Sequence, residues 1–266
     1  MRTRVISAIV ALAIFIPLFL IGGNFYNIAI YILSIMGLKE FIEVKETKKN
    51  LLPFIKFISY MLISLIVFSN PSNSGMLFLI DFRIIAGLFL ALLLPVVLYH
   101  DREKYSVNDA FYLIGGIFFL GVAFNLMILL RSRSLDLLVY LFLITTFTDT
   151  YAYLTGMLIG RNKLLEAISP KKTWEGLIGG TIFGVMISSV FYHVVIDSTI
   201  SLNALLLMST FLSIIGQFGD LFFSAIKRYY GKKDFSNLMP GHGGVLDRLD
   251  SLIFVILGFM FFISII

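Results

Sequence analysis

The chain reads as a succession of long apolar runs separated by short polar segments. Runs near 5–22, 25–42, 54–69, 84–100, 109–130, 135–160, 174–196, 202–226 and 245–266 approach the roughly 20 residues that an α-helix needs to cross a hydrocarbon core. They predict an all-α fold, a polytopic integral membrane helix bundle of about nine transmembrane helices. The third run is short for a full crossing. The first follows Met-Arg-Thr-Arg; its apolar stretch from Val5 to Ile21 is longer than the core of a signal peptide and closes without a small-x-small cleavage site, so it reads as a span.

Composition agrees, since 59% hydrophobic and 14% charged residues with a mean hydropathy of +0.96 do not describe a soluble core. The absence of cysteine excludes disulfides and thiolate chemistry. Lys and Arg resist translocation and collect on the cytoplasmic side. With the N-terminus cytoplasmic, 18 of the 21 fall on that side and only Arg83, Arg131 and Arg133 outside it. This orients the chain, which is expected in the cell inner membrane, and explains most of its net charge of +5 with no nucleic-acid partner. The run Lys45 to Lys49 reads first as a topology marker, although a basic rim also suits anionic headgroups.

Ionisable residues at depth divide the chain. Spans one to five carry almost none, whereas spans six, eight and nine each carry Asp. Residues 1–134 therefore read as a transmembrane scaffold, with apolar surface enough for a homodimer, and 135–266 as the catalytic region. In span six, Thr145, Asp149, Tyr153 and Gly156 recur on one helix side, with Asp149 about 16 Å from Gly160. A carboxylate at that depth must face a bundle interior or a wet cavity; neighbouring hydroxyls could also satisfy it without any chemistry. In span eight, Gln217, Asp220, Ser224 and Lys227 form a polar stripe that looks like a cavity wall, with an Asp220–Lys227 salt link as the competing explanation.

Two polar segments complete the candidate chemistry. After span six, Ser169-Pro170 breaks the chain direction, and Lys171, Lys172 and Thr173 stand at the start of span seven, where basic side chains and free N–H groups attract phosphate oxygens. Taken alone, the segment reads first as a positive cap with Trp174 in the interfacial belt. From Lys227 to Ser251 the chain is densely polar. Within it, Gly241, Gly243 and Gly244 surround His242 in a turn able to point N–H groups at an anion. His242 could donate to a phosphate or move a proton. Asp247 and Asp250, three residues apart on the helix that follows, share a face and could hold Mg²⁺ against the same phosphates.

Ser224, Lys227-Arg228, Lys233-Asp234, Pro240-Gly241-His242-Gly243-Gly244, Asp247-Arg248 and Asp250 resemble, in identity and spacing, the signature of phosphatidate cytidylyltransferases, also called CDP-diacylglycerol synthases. The segment from Ser169 to Gly176 looks like a second hallmark of that family, and the likeness extends over Asp149 to Ser251. It implies a membrane enzyme that joins CTP to phosphatidic acid with Mg²⁺, giving CDP-diacylglycerol and pyrophosphate. Asp220, Asp247 and Asp250 would hold one or two cations. Lys227, Arg228, His242 and Arg248 would complete the catalytic set, while Asp149, Ser169, Lys171, Lys172, Thr173, Ser224, Lys233 and the three glycines would bind substrate. A transporter would also explain Asp149 and Asp220, but not the glycine turn and basic sites gathered on one side. A CTP-dependent kinase of a polyprenol or of phytol is a further alternative.

Overall fold

The computed structural model describes residues 13, 15–69, 82–238, 241 and 243–262. Residues 15–21 are helical, and most of the expected first span lies outside the described residues. Eight helices follow among the described residues: α1 (Gly23–Glu46), α2 (Pro53–Val67), α3 (Phe82–Tyr99), α4 (Val107–Arg133), α5 (Leu135–Ile159), α6 (Trp174–Phe191), α7 (Leu202–Tyr229) and α8 (Leu246–Phe259). A π-helical turn, Tyr192–Ile196, extends α6. Between α5 and α6 lies a small antiparallel hairpin of β1 (Lys163–Leu165) and β2 (Ser169–Thr173). Six of these helices are long and apolar enough to cross a bilayer, which makes this a multi-pass membrane protein. At 15 and 14 residues, α2 and α8 span only about 22 and 21 Å of a core roughly 30 Å thick.

The described residues form two compact units, one holding the chain through Ile128 together with Phe235–Val245, the other Leu129–Asp234 and the chain from Leu246. In the first, α4 is the most buried of the crossing helices and α3 the least. The Tyr112 ring stacks on Phe41, and its hydroxyl donates to the Phe41 carbonyl at 2.8 Å. The run Lys45 to Lys49, read above as a topology marker, does more than that. Lys45 and Lys49 converge on the buried carboxylate of Asp109 at 2.6 and 2.5 Å. Sequence position alone hides this, because the acid enters from α4, 60 residues downstream of Lys49.

The short helix α2 has its C-terminus closed by another helix. Asn125 of α4, 4% exposed, donates through Nδ2 to the carbonyls of Ile66, Val67 and Ser69 at 3.1, 2.9 and 3.1 Å. The last carbonyls of a helix lack intrahelical partners, and hydrocarbon offers them none. Asn125→Leu is therefore expected to cost about 1–3 kcal/mol, the usual penalty for stranded buried acceptors, through the Val67 and Ser69 carbonyls, since that of Ile66 also accepts from Ser69. Thermal unfolding in detergent measures it; an unchanged midpoint would show that the carbonyls find other partners.

In the second unit, small residues set the closest helix contact. Gly176, Gly180 and Gly184 are buried on one face of α6, opposite Thr148, Ala152 and Gly156 of α5. A Cβ on Gly180 would lie 2.6 Å from the Thr148 carbonyl oxygen and 2.7 Å from Ala152 Cβ. Such faces bring backbones close where apolar burial gives helices little reason to associate in lipid. Hydroxyls fasten α7 to this pair: Tyr140 and Ser209 share a hydrogen bond of 2.8 Å, as do Thr148 and Ser213. Against α7, the α8 backbone fits beside Gly216 and Gly219, where a Cβ would meet Val255 at 2.8 Å and the Asp250 carbonyl oxygen at 2.8 Å.

Candidate active site

A polar cavity of about 680 Å³ lies wholly within the second unit. Each of its walls has a local cause. Ser134 caps the start of α5 by accepting from the Leu137 amide, and the helix then carries Asp149, Ala152, Tyr153, Gly156 and Met157 into the lining. Thr173 ends β2 and caps α6, its hydroxyl accepting from the Gly176 amide at 3.1 Å. The hairpin sets Lys163 opposite Thr173, so Lys163, Ser169, Lys171 and Lys172 enter from one side. From α7 come Gln217, Asp220 and Lys227; the first turn of α8 supplies Asp247, Arg248, Asp250 and Ser251.

Five carboxylates and five cationic side chains line this space, so it can hold a cation and still offer charge to phosphates. Two ion pairs organise the charges. Lys172 Nζ lies 2.7 Å from Asp220 Oδ2 and also donates to the Gln217 carbonyl at 3.3 Å. Lys227 Nζ lies 2.7 Å from Asp247 Oδ1, with side chains 9% and 3% exposed. The Asp220–Lys227 link weighed above is thus replaced by two links to other elements: at intervals of three and four residues both groups share a helix face, yet each finds its partner across the cavity. Ser224 donates to Asp220 Oδ1 at 3.3 Å. Asp149 is exposed toward the cavity, and its carboxylate is close enough to feel the charges of Asp220 and Lys172; Asp250 feels those of Asp220 and Asp149.

Such hard oxygen donors suit a divalent cation. Among the described residues no three acidic or histidine side chains converge into a ready cage. Mg²⁺ does not need one, since it is commonly bound by one or two carboxylates and completes its shell with phosphate oxygens and water.

Of the residues singled out in the sequence, Asp149, Ser169, Lys171, Lys172, Thr173, Asp220, Lys227, Asp247, Arg248 and Asp250 meet in this lining. Arg228 and Lys233 do not belong to it: Arg228 donates to the carbonyls of Ile168 and Lys232, and Lys233 is exposed. Ser224 enters only through Asp220. Pro240 and His242 lie outside the described residues. Gly241, Gly243 and Gly244 fall in the first unit, where the Val245 amide that follows them donates to the carboxylate of Glu40 at 2.8 Å. The anion that this amide faces belongs to the protein itself.

Ser169-Pro170, read as a break, sits in β2, because a proline N is tolerated at the edge of a two-stranded sheet. Lys163, Gln217 and Asp234 also line the cavity without having been given a substrate, metal or catalytic role. Gln217 was visible in the α7 stripe, and its amide ties α7 to the Leu177 carbonyl at 3.3 Å and Thr181 Oγ1 at 3.0 Å. For Lys163 no local signal exists, since only the hairpin register brings it there.

A sequence profile described as the cytidylyltransferase family matches residues 2–266. The chain is 36% identical over 257 residues to the phosphatidate cytidylyltransferase of Staphylococcus haemolyticus, covering 96% of both chains. It is also 36% identical over 256 residues to that of Staphylococcus saprophyticus and 34% over 261 residues to that of Staphylococcus aureus, again with 96% of each chain covered.

Proposed function

The chain belongs to the cytidylyltransferase family, and on that footing we propose that it transfers the cytidylyl group of CTP to phosphatidic acid, giving CDP-diacylglycerol and pyrophosphate for phospholipid synthesis. The observation that carries this is the cavity itself. A space of about 680 Å³ is in the range of small-molecule sites, and its five cationic groups suit a triphosphate meeting a lipid phosphate. The Lys and Arg distribution supports an inner-membrane enzyme with the cavity open to the cytoplasm, where CTP arrives while phosphatidate stays in the bilayer.

The second phosphate ionisation of a phosphomonoester lies near 6, so phosphatidate is already a strong anionic nucleophile at neutral pH and needs no general base. Its terminal oxygen forms a bond to the α-phosphorus of CTP as the bond from that phosphorus to the β-phosphate bridge breaks. Pyrophosphate leaves with the electron pair. Catalysis then rests on alignment and on charge placed where the transition state develops it. Lys171, Lys172, Lys227 and Arg248 offset phosphate charge, and Asp149 and Ser169 shape the wall beside them. Asp220, Asp247 and Asp250 are the residues to hold Mg²⁺, which would neutralise the triphosphate and polarise its α-phosphorus. The glycines shape the turn before α8.

Purified protein given α-labelled CTP, Mg²⁺ and phosphatidate is expected to form labelled CDP-lipid, to stop on chelation and to resume when Mg²⁺ is restored. With a lipid alcohol in place of phosphatidate no labelled lipid should form from γ-labelled CTP. Phosphorylation of the alcohol, or no product from either lipid, would overturn the assignment.

A further inference from the structure

The amide that follows the glycine turn already faces an anion, and it is the protein's own. Glu40 lies near the end of α1 and is 4% exposed. One of its carboxylate oxygens accepts from Ser236 Oγ at 2.7 Å and from the Val245 amide at 2.8 Å. Gly244 approaches so closely that a Cβ there would collide with the carboxylate. Gly241 and Gly243 adopt φ of 80° and 81°, the left-handed region where only glycine is unstrained. Val245 directly precedes α8, so the carboxylate satisfies the amide of the residue that leads into that helix. Glu40 and this turn are 205 residues apart in the chain, yet both belong to the first unit.

We propose that Glu40 is a positioning residue for the transfer reaction. By tying Ser236 and Val245 to one oxygen it holds the residue that the chain joins directly to α8, the helix that carries Asp247, Arg248 and Asp250. This rests on the cytidylyl-transfer reading of the cavity. Glu40 touches no reacting group; a small misplacement of groups that do costs up to about 100-fold in rate.

The test compares Glu40→Ala, Glu40→Gln and wild type in detergent. Glutamine keeps one carbonyl oxygen able to accept both hydrogen bonds, while it loses the charge and replaces the second carboxylate oxygen with an NH₂ donor. Glu40→Ala is expected to lower kcat about 10- to 100-fold with KM for phosphatidate within about 3-fold, and Glu40→Gln to recover most of that loss. Hydrogen exchange at the Val245 amide should quicken in Glu40→Ala, a readout independent of turnover. Gly244→Ala crowds the same carboxylate from the other side and should reproduce the alanine phenotype, which serves where Glu40→Ala does not fold. The proposal is overturned by kcat near wild type in a folded Glu40→Ala, by a glutamine variant no better than alanine, or by unchanged Val245 exchange. Should wild type form no CDP-lipid, the reaction assignment fails on its own, and Val245 exchange still decides whether Glu40 holds the turn.

Discussion

Asp247→Asn is expected to lower turnover by at least about 10²-fold and to destabilise the fold by about 3–5 kcal/mol in the same protein, because the two effects have different origins. The Lys227–Asp247 pair is almost wholly buried, with side chains 9% and 3% exposed at 2.7 Å. Asparagine removes the carboxylate charge 2.7 Å from the largely buried Lys227 ammonium, and breaking such a pair from one side is costly. Replacing both partners, Lys227→Met with Asp247→Leu, removes the stranded charge and should restore the unfolding midpoint without restoring turnover. Asp250→Asn separates the effects further. Among the described residues Asp250 has no ion-pair partner, so its loss should cost about 10²-fold in turnover with far less stability. Thermal unfolding beside a CDP-lipid assay reads both quantities. Near-normal turnover in a folded Asp247→Asn would remove this carboxylate from the chemistry.

The second large effect is architectural. Gly180→Val should destabilise by about 3 kcal/mol or more, at the upper end of overpacking penalties, and should also damage the cavity. The new Cβ would meet the Thr148 carbonyl and the Ala152 Cα at 2.6 and 3.0 Å. These are atoms of the α5 main chain, so no rotamer change relieves the clash. The helices must separate, and α5 carries Asp149, Ala152 and Gly156 into the cavity wall. Gly87→Ala in α3, where an added Cβ meets nothing within 4 Å, is the control and should be neutral or stabilising by about 0.5–1 kcal/mol. Equal midpoints for the two variants would show that α5 and α6 do not depend on close approach.

Much of the candidate site was legible because membrane chemistry makes polar residues conspicuous. Asp149 and Asp220 stand out in helices where a charge is expensive, and both line the cavity. The basic segment before α6 also reaches it, through Lys171 and Lys172. What local pattern could not supply was pairing. Nothing in the stripe of α7 tells that Asp220 meets Lys172 and not Lys227, since intrahelical spacing allows the one and only the packing of separate elements selects the other. Nor could it show that the glycine turn faces Glu40, a partner about 200 residues away, because a glycine's tolerance for positive φ says how a turn can bend and not which anion it will meet.

The sequence alone determined the solvent of this protein and the kind of chemistry it carries. Long apolar runs must be helices in hydrocarbon, because only helices satisfy their own backbone there, and acids set inside those runs must face polar company. Tertiary structure decided the ends and the partners. Among the described residues it ended α8 at Phe259, folded the segment around Ser169 into a hairpin that carries Lys163 to the cavity, and divided the densely polar stretch from Lys227 to Ser251 between two units. Those outcomes depend on distances between elements far apart in the chain, which local periodicity does not encode. The carboxylates of α8 were visible from the start; their buried lysine, and the Glu40 contact at the helix start, exist only once the chain has folded.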